Sequence, residues 1–378
     1  MVGWSRLFAH HQPTVQARAR VRLFVDALAA TSGGLATYVR GLLRGWAESS
    51  PDDHLTVFVT GSFGELVAAD PSSACHRFRI FPSRSPSEFW RLLRTEVALP
   101  EHQRTADALL TTLPTIPIAW RKPVVTIVHD LRHEDRPHEF GARQRLTRRI
   151  LYAHAYRRAN GIVAISQRVA NDLATRHPST TSRLSVALHG SDHVPEGQST
   201  RQGDAVAFGH HANKEPLLLL STWKRLLETS DSRLPTLHVV GLDEALRATL
   251  RGEAARLGIG DTVTLDPYIS DEQLQQLMRS ASALLFPSRH EGFGLPVLEA
   301  MRRGVPVVIS PDRALQEVAG GHAAESTGWS PEEFVVAVRR ALVMTNAEID
   351  AAHEYSNQFT WRRSAEITRA AIAAALPS

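Results

Sequence analysis

Two glutamates eight positions apart, Glu291 and Glu299, flank a glycine turn in the segment Ser288-Arg-His-Glu-Gly-Phe-Gly-Leu-Pro-Val-Leu-Glu-Ala-Met301. The segment follows the apolar run Ala283–Pro287 and reads directly into a helix, so it forms a strand–loop–helix junction. Gly292 and Gly294 carry no Cβ, which lets the backbone pass close to a ligand. The amides of Phe293–Leu295 then stand at a helix N-terminus, where partial positive charge favours phosphate. Pro296 suits the first helical turn. A carboxylate beside a diphosphate is repelled by it, so the chemistry that fits Glu291 and Glu299 is binding neutral hydroxyls, on a ribose or a hexose. The plainer reading is a glycine turn with a surface glutamate on each side. Gly-Phe-Gly-Leu-Pro-Val also lacks the third glycine of a dinucleotide fingerprint.

A second candidate is Lys214, one of only three lysines with Lys122 and Lys224. It closes Phe208-Gly209-His-His-Ala-Asn-Lys214, where a cation could meet a phosphate or simply stand in solvent. A third is the run His129-Asp-Leu-Arg-His133-Glu-Asp-Arg-Pro-His138. His129 and His133 have the spacing of a His-Glu-x-x-His metal motif, but Asp130 stands where the glutamate belongs. That motif also needs a helix to put both rings on one face. His129 ends a β-branched strand and Pro137 limits any following helix, so the run is expected to be a polar loop without metal, with His129 and Asp130 turned toward a ligand. A Walker lysine sequence and a Gly-x-Ser-x-Gly elbow are both missing, which leaves P-loop and serine-hydrolase chemistry without support.

These residues need strands and helices to hold them. Apolar or β-branched runs at Val21–Ala27, Leu55–Thr60, Ala108–Thr112, Val124–His129 and Ile162–Ile165 predict strands. A glycine turn at Ser32–Gly34 with a helix from Leu35 to about Glu48, and a helix around Ser87–Leu99, fall among them. The turn-rich stretch Pro195–Asp204 predicts a linker. Beyond it the alternation restarts, with strands Ala205–Gly209, Thr236–Gly241, Val263–Leu265, Ala283–Pro287 and Val305–Ile309. Helices are expected at Glu215–Glu228, Leu242–Leu257, Asp271–Ser280 and Leu295–Arg303, with two more after the last strand. Strands and helices alternating in this way make parallel βαβ units, and a ligand belongs at the C-terminal strand ends. The division expected is a basic extension over 1–20, a first domain over 21–198, a second over 199–360, and a last helix over 361–378 returning to the first domain.

Composition agrees with this plan. The 378 residues exceed what one hydrophobic core usually supports, which predicts two domains of roughly 150–200 residues. With 43% hydrophobic and 22% charged residues the chain is globular rather than disordered or fibrous. No stretch approaches the ~18 continuous apolar residues of a membrane span, and the basic N-terminus lacks the apolar region of a secretory signal. Cys75 is alone, which forbids an internal disulfide or a cysteine-rich metal site. The expected location is the cytoplasm. The net charge of +4 comes from scattered arginines without a five-residue basic block. That argues against nucleic acid as partner and fits mild attraction to an anionic substrate or to the inner membrane face, met peripherally.

Glu291…Glu299, with Glu-Gly-Phe-Gly-Leu-Pro and Glu-Ala-Met, resembles the E-x7-E signature of retaining GT-B glycosyltransferases, specifically glycosyltransferase family 4. The likeness runs from Leu265 through Ile269–Leu274 and Ala283–Ser288 to Gly304–Val308. Looser matches are Ser32-Gly33-Gly34…Tyr38, similar to the family's glycine loop under the donor diphosphate, and Val128–Leu131, similar to a histidine strand end facing the transferred sugar. Ser166–Asp172 is similar to a serine-helix element, and Phe208–Lys214 to the first loop of the donor domain. That loop normally supplies an arginine and a lysine. Lys214 matches the lysine, whereas the arginine has no clear counterpart: His210, His211 and Asn213 occupy the rest, and the second cation is a histidine, Arg289, or missing.

The resemblance implies an α/β GT-B fold, two Rossmann-like doubly wound domains facing a central cleft. It implies transfer of a mannose, rhamnose, glucose or N-acetylglucosamine type of sugar, with retention, from a nucleotide diphosphate sugar to a hydroxyl acceptor such as a growing polysaccharide or lipid-linked glycan. Glu291 would hold a sugar hydroxyl and Glu299 the ribose. Lys214 and the amides of Phe293, Gly294 and Leu295 would neutralise the departing diphosphate, with Gly33, Gly34, Gly209, Asn213 and Arg289 lining the donor and His129 facing the sugar. No metal or other cofactor is implied. The rival readings are a catalytically silent nucleotide-sugar-binding protein, a phosphorylase or synthase of the same fold, and a Rossmann oxidoreductase.

Overall fold

A computed structural model describes residues 20–81, 96, 103–195, 197–210, 212–230 and 233–377. Residues 1–19, the helix expected around Ser87–Leu99 (apart from Glu96) and His211 lie outside them. The described chain divides into two compact units.

The first unit takes the residues up to Ile165, then Ala170–Ala187, then those from Trp361 onward. Its seven strands are β1 (Arg22–Asp26), β2 (His54–Thr60), β3 (Arg77–Phe81), β4 (Ala108–Thr111), β5 (Val124–Val128), β6 (Gly161–Ala164) and β7 (Leu184–Val186). They form one sheet in the order β3-β2-β1-β4-β5-β6-β7, parallel throughout. The unbroken Val-Val-Thr-Ile-Val of β5 is buried at every position, as a parallel strand covered on both faces must be. Strand order reverses between β1 and β4, so the C-terminal ends of these strands open a crevice there.

After β1 the helix Gly33–Ser49 crosses the sheet and packs on the helix Trp361–Ala375 of the same unit. Glycines make this approach close. A Cβ on Gly41 would stand 2.0 Å from Trp361 Cε2, and one on Gly45 2.1 Å from the Trp361 carbonyl oxygen. Asp53 locks the pair. Its buried carboxylate accepts hydrogen bonds from Val21 N (2.8 Å), Trp46 Nε1 (3.1 Å), and Arg369 Nε (2.7 Å) and Nη2 (3.1 Å).

The second unit comprises Ser166–Val169 and Leu188–Thr360. Its strands are β8 (Ala205–Phe208), β9 (Leu237–Val240), β10 (Val263–Leu265), β11 (Ala283–Phe286), β12 (Val307–Ile309) and β13 (Ala324–Glu325), in the parallel order β10-β9-β8-β11-β12-β13. Order reverses between β8 and β11, the strands that precede the lysine and glutamate loops. Leu220, Trp223 and Leu226 of the helix Pro216–Glu228 share a core with Phe334, Val338 and Ala341 of the helix Pro331–Leu342. Capping boxes at Ser270, Ser330 and Thr345 start three of the helices. Each satisfies N–H groups that the helix itself leaves open, a contribution of about 1 kcal/mol. After β12 the chain makes four helices and a short strand rather than two helices.

Pro195–Asp204, polar enough to read as a linker, lies inside the second unit and is tied down there. Ser199 N donates to the Arg303 carbonyl, Thr200 N to Arg279 and Gly203 N to Ser280, while Ser199 Oγ donates to Ala281. Composition predicts a free segment only when backbone groups lack partners, and these have them. Among the described residues no helix is long and apolar enough to cross a membrane.

Candidate functional site

In the second unit the reversal point between β8 and β11 brings Lys214 and Glu291 together. Lys214 Nζ lies 2.6 Å from Glu291 Oε1 and 4.0 Å above the Phe286 ring at the end of β11. The lysine side chain is only 8% exposed, so the ammonium depends on this carboxylate and this aromatic face. Asn213 braces the same carboxylate. Its Nδ2 donates to Ser288 Oγ (2.9 Å) and to the His290 carbonyl (3.1 Å), and Ser288 Oγ in turn donates to Glu291 Oε1. The His290 carbonyl fixes this amide orientation, because a flipped amide would set oxygen against oxygen. Asn213 Oδ1 is then a buried acceptor with no partner among the described residues.

The following backbone does what its glycines allow. Gly294 has φ +99, and a Cβ there would stand 2.5 Å from Leu315 Cδ2, so both conformation and space select glycine. Gly294 caps the helix Leu295–Arg302, with Pro296 in its first turn and Phe293 buried against the His189 ring, centroids 4.5 Å apart. Glu299, one turn in, accepts from His193 Nε2 at 2.9 Å. Burial works to raise the pKa of Glu299, but the His193 hydrogen bond and charge, with Arg303 nearby, outweigh it and leave the carboxyl below its ordinary value. Nothing in the sequence pairs His193 with Glu299; they lie 106 positions apart.

Two further residues of this unit hold the glutamate loop. Ser166 Oγ donates to the Gly292 carbonyl at 2.6 Å, and Arg168 Nη1 donates to the Glu291 carbonyl at 2.6 Å. Arg168 Nη2 also meets His290 Nε2 at 3.0 Å. Glu317 accepts from the amides of Gln167 and Arg168 at 2.7 and 2.8 Å. The sequence offers Ser166 and Arg168 only as part of the serine-helix likeness of Ser166–Asp172, without a role for the arginine, and gives no signal for Glu317.

The other expected donor residues divide. Gly209 has a packing reason to be glycine: a Cβ would stand 2.3 Å from Leu242 Cδ2, and its amide donates to the Val240 carbonyl. Arg289, weighed as the second cation, is held by Glu215, with Nε 2.5 Å from Oε1, and lies over the Trp329 ring at 4.5 Å. Glu215 has φ +50, an uncommon conformation for a residue with a side chain. The strain falls directly after Lys214.

In the first unit Gly33, Gly34 and His129 share the C-terminal end of the sheet. The helix begins at Gly33 itself rather than after a glycine turn. Its opening has no acidic residue and no side-chain cap, and a Cβ on Gly33 or Gly34 would meet nothing within 4 Å. That leaves an open helix N-terminus of the kind that accepts anions. His129 follows β5. Its Nε2 donates to the Thr112 carbonyl at 3.1 Å and its ring meets Tyr38 edge-on at 4.8 Å. Burial pushes its pKa down to about 4 against the opposing pull of Asp130 and the Thr112 carbonyl. At neutral pH the ring is uncharged and the proton sits on Nε2.

His133, expected in a loop, lies on the one-turn helix Arg132–Asp135 and is buried, with Tyr152 4.8 Å away edge-on. The turn closes before Pro137, which limits the helix as expected, and what the sequence reading misses is that one turn forms at all. Among the described residues no group of three or more histidine, cysteine, aspartate or glutamate side chains could hold a metal ion.

Comparison with known proteins agrees across both units. The model described as Glycosyltransferase Family 4 matches residues 32–193, and that described as Glycosyl transferases group 1 matches residues 208–355. The serotype-specific mannosyltransferase WbdA of Escherichia coli is 38% identical over 98 residues, 26% of this chain and 12% of that protein. The MMP alpha-(1->4)-mannosyltransferase of Mycolicibacterium hassiacum is 32% identical over 214 residues, 52% of this chain and 50% of that protein. The chain thus spans half or less of the length of these relatives. Anabaena HepE, solved in complex with UDP and glucose, superposes with a TM-score of 0.73 at 16% identity over 93% of this chain and 99% of that one. The fold is GT-B, two Rossmann-like parallel sheets of seven and six strands with helices.

Proposed function

Because the chain belongs to the group 1 and family 4 glycosyltransferases, we propose that it moves a sugar from a nucleotide diphosphate sugar to a hydroxyl acceptor with retention of anomeric configuration. The observation that carries this reading is the 2.6 Å pair of Lys214 and Glu291 at a strand-order reversal, beside a glycine-led helix N-terminus. A cation, open amides and a carboxylate meet there, suited in turn to a diphosphate and to sugar hydroxyls.

Lys214 and the amides of Phe293–Leu295 stabilise charge that grows on the diphosphate as the bond from sugar C1 to the phosphate oxygen breaks. The bond's electron pair leaves with the diphosphate. The acceptor hydroxyl oxygen attacks C1 from the same face, and its proton passes to the departing phosphate oxygen, so no protein nucleophile is needed. Glu291 orients a sugar hydroxyl and Glu299 the ribose. Gly33 and Gly34 leave room for the diphosphate, and neutral His129 serves the sugar as a hydrogen-bonding group rather than a cation. In this reading lysine and amides take the charge that a divalent ion would otherwise carry. Two relatives named above are mannosyltransferases, which makes a nucleotide diphosphate mannose the first donor to try, and the family resemblance suggests a polysaccharide or lipid-linked glycan as the first acceptor.

The test is incubation with a panel of nucleotide sugars and hydroxyl acceptors in EDTA, with product anomers read by NMR. Transfer with retention supports the reading. An inverted linkage overturns the mechanism, and a strict need for added Mg²⁺ or Mn²⁺ overturns the metal-free account.

A further inference from the structure

The helix Ala142–Arg158 of the first unit carries six arginines and no acidic residue. Residues 142–146 are exposed, Thr147 and Arg148 are half-buried, and only Tyr152, Ala155 and Tyr156 are buried. On the open side Leu146 is 60% and Ile150 59% exposed. Arg143, Leu146, Ile150 and Arg157 follow at spacings of three, four and seven, which places them on one face. Arg145 and Arg149 flank that face, and Arg143, Arg145, Arg149 and Arg157 are all exposed. The remaining two turn elsewhere: Arg148 lies over the Phe140 ring at 4.9 Å, and Arg158 donates to the Trp120 and Lys122 carbonyls. Glu139, the acid just before the helix, is engaged by Arg132 and Arg136.

We propose that this face docks on an anionic lipid surface, with the four exposed arginines at headgroup level and Leu146 and Ile150 reaching the acyl boundary. Charge selects the occupant. A second copy of the helix would set arginine against arginine. A nucleic acid would use the arginines and leave two large apolar side chains in water. An anionic bilayer satisfies both at once, the combination found on helices that lie in a membrane interface. The proposal stands independently of the sugar-transfer reading, because none of these residues belongs to the candidate site.

The experiment is co-sedimentation of the full chain with vesicles of phosphatidylcholine, with and without phosphatidylglycerol. It compares wild type, Leu146→Ser/Ile150→Ser and Arg143→Gln/Arg145→Gln/Arg149→Gln. Each basic residue near an anionic surface is worth roughly fivefold in partitioning, so the triple variant is expected to bind on the order of a hundredfold more weakly. The double variant should also lose binding, at unchanged circular dichroism. All changed side chains are exposed, and the two variants remove different interactions, so each checks the other. Wild type that ignores phosphatidylglycerol overturns the proposal. So does vesicle binding that survives Leu146→Ser/Ile150→Ser, which would mark a general polyanion surface. A dimer in light scattering that the double variant dissociates would assign the face to a second copy instead.

Discussion

Lys214 and Glu291 form a closed ion pair: the ammonium sits 2.6 Å from one carboxylate oxygen, with the Phe286 ring beneath it. In the proposed reading an incoming diphosphate draws the lysine toward itself, and the attraction strengthens as negative charge accumulates on the leaving group. Lys214→Ala is therefore expected to lower kcat more than it raises KM. The loss should be roughly 10²–10³ in rate, or about 2.7–4 kcal/mol. Steady-state kinetics decide it, and a raised KM at unchanged kcat would assign Lys214 to ground-state binding alone.

In the proposed reading Glu299 holds ribose hydroxyls, which change little during transfer, so Glu299→Gln should act on donor affinity. Losing one charged hydrogen-bond acceptor predicts a Kd increase on the order of tenfold with kcat nearly preserved. The Glu299 carboxyl is held below its ordinary pKa, so its ionised form adds stability above its unfolded-state value, and this is lost as pH falls through the folded value. His193→Ala removes the principal lowering contact and should move that loss to higher pH. A nucleotide thermal-shift titration against pH reads both effects, and identical profiles for His193→Ala and wild type would separate the two residues.

His129 predicts the opposite-looking but same-signed acid limb. Its pKa falls from 6.5 unfolded to about 4 folded, because burial disfavours the imidazolium. The unfolded chain binds the extra proton first, so stability is full above about pH 6.5 and declines as pH drops toward 4, by roughly 3 kcal/mol at most. His129→Gln has no proton to gain and keeps an amide donor for the Thr112 carbonyl. Its melting temperature should fall less steeply between pH 6.5 and 4 than that of wild type, and equal slopes would show that other groups set the acid limit.

Much of this was written in residue types. Buried runs such as Val124–Val128 announce strands, and the turn glycines with Glu291 and Glu299 mark the junction that the fold puts at a reversal point. Other features carry weaker signals. Arg-Phe-Arg-Ile-Phe of β3 alternates polar and apolar as an edge strand does, and Leu-Ser-Val of β7 is too short for periodicity to register. Ser270–Gln273, Ser330–Glu333 and Thr345–Glu348 are capping boxes readable from spacing alone; the first starts the helix expected at Asp271–Ser280, and the other two mark helices that an apolar-run reading leaves unlocated. Gly41 and Gly45 stand four apart on one helix face, a hint of close packing with no indication of the partner. The contacts of Glu299 with His193, and of Arg168 with the Glu291 loop, depend on folding distant segments together, and no local pattern encodes them.

Glycines separate stability from binding. At Gly45 an added methyl meets the Trp361 carbonyl oxygen, a backbone atom that no rotamer change can move, so Gly45→Ala should destabilise by about 1–3 kcal/mol. At Gly34 the added methyl meets open space, so Gly34→Ala should leave stability within about 1 kcal/mol of wild type. If the diphosphate occupies that space, Gly34→Ala will still weaken donor binding. Denaturant unfolding beside nucleotide titration checks the pair, and unaltered affinity in Gly34→Ala would take the first unit's glycines out of the donor site.

Arg369 gives a last test. Its guanidinium supplies two of the four hydrogen bonds that satisfy the buried Asp53 carboxylate. Arg369→Ala leaves that carboxylate half-satisfied and should cost about 3 kcal/mol. Asp53→Asn/Arg369→Met, which removes the charge on both sides, should recover part of the loss, and a double variant no more stable than Arg369→Ala would show that the pair acts through packing.

The helix Trp361–Ala375 also sets an order of events on the ribosome. Strands β1 to β7 emerge early, yet Gly41, Gly45 and Asp53 wait for partners translated more than three hundred residues after them. Residues 188–360, almost all of the second unit, are synthesised before that helix appears. The first unit is thus completed only after the second has been synthesised, and until then its groove for Trp361 stays uncovered, a stretch of apolar surface for which chaperones and wrong partners can compete.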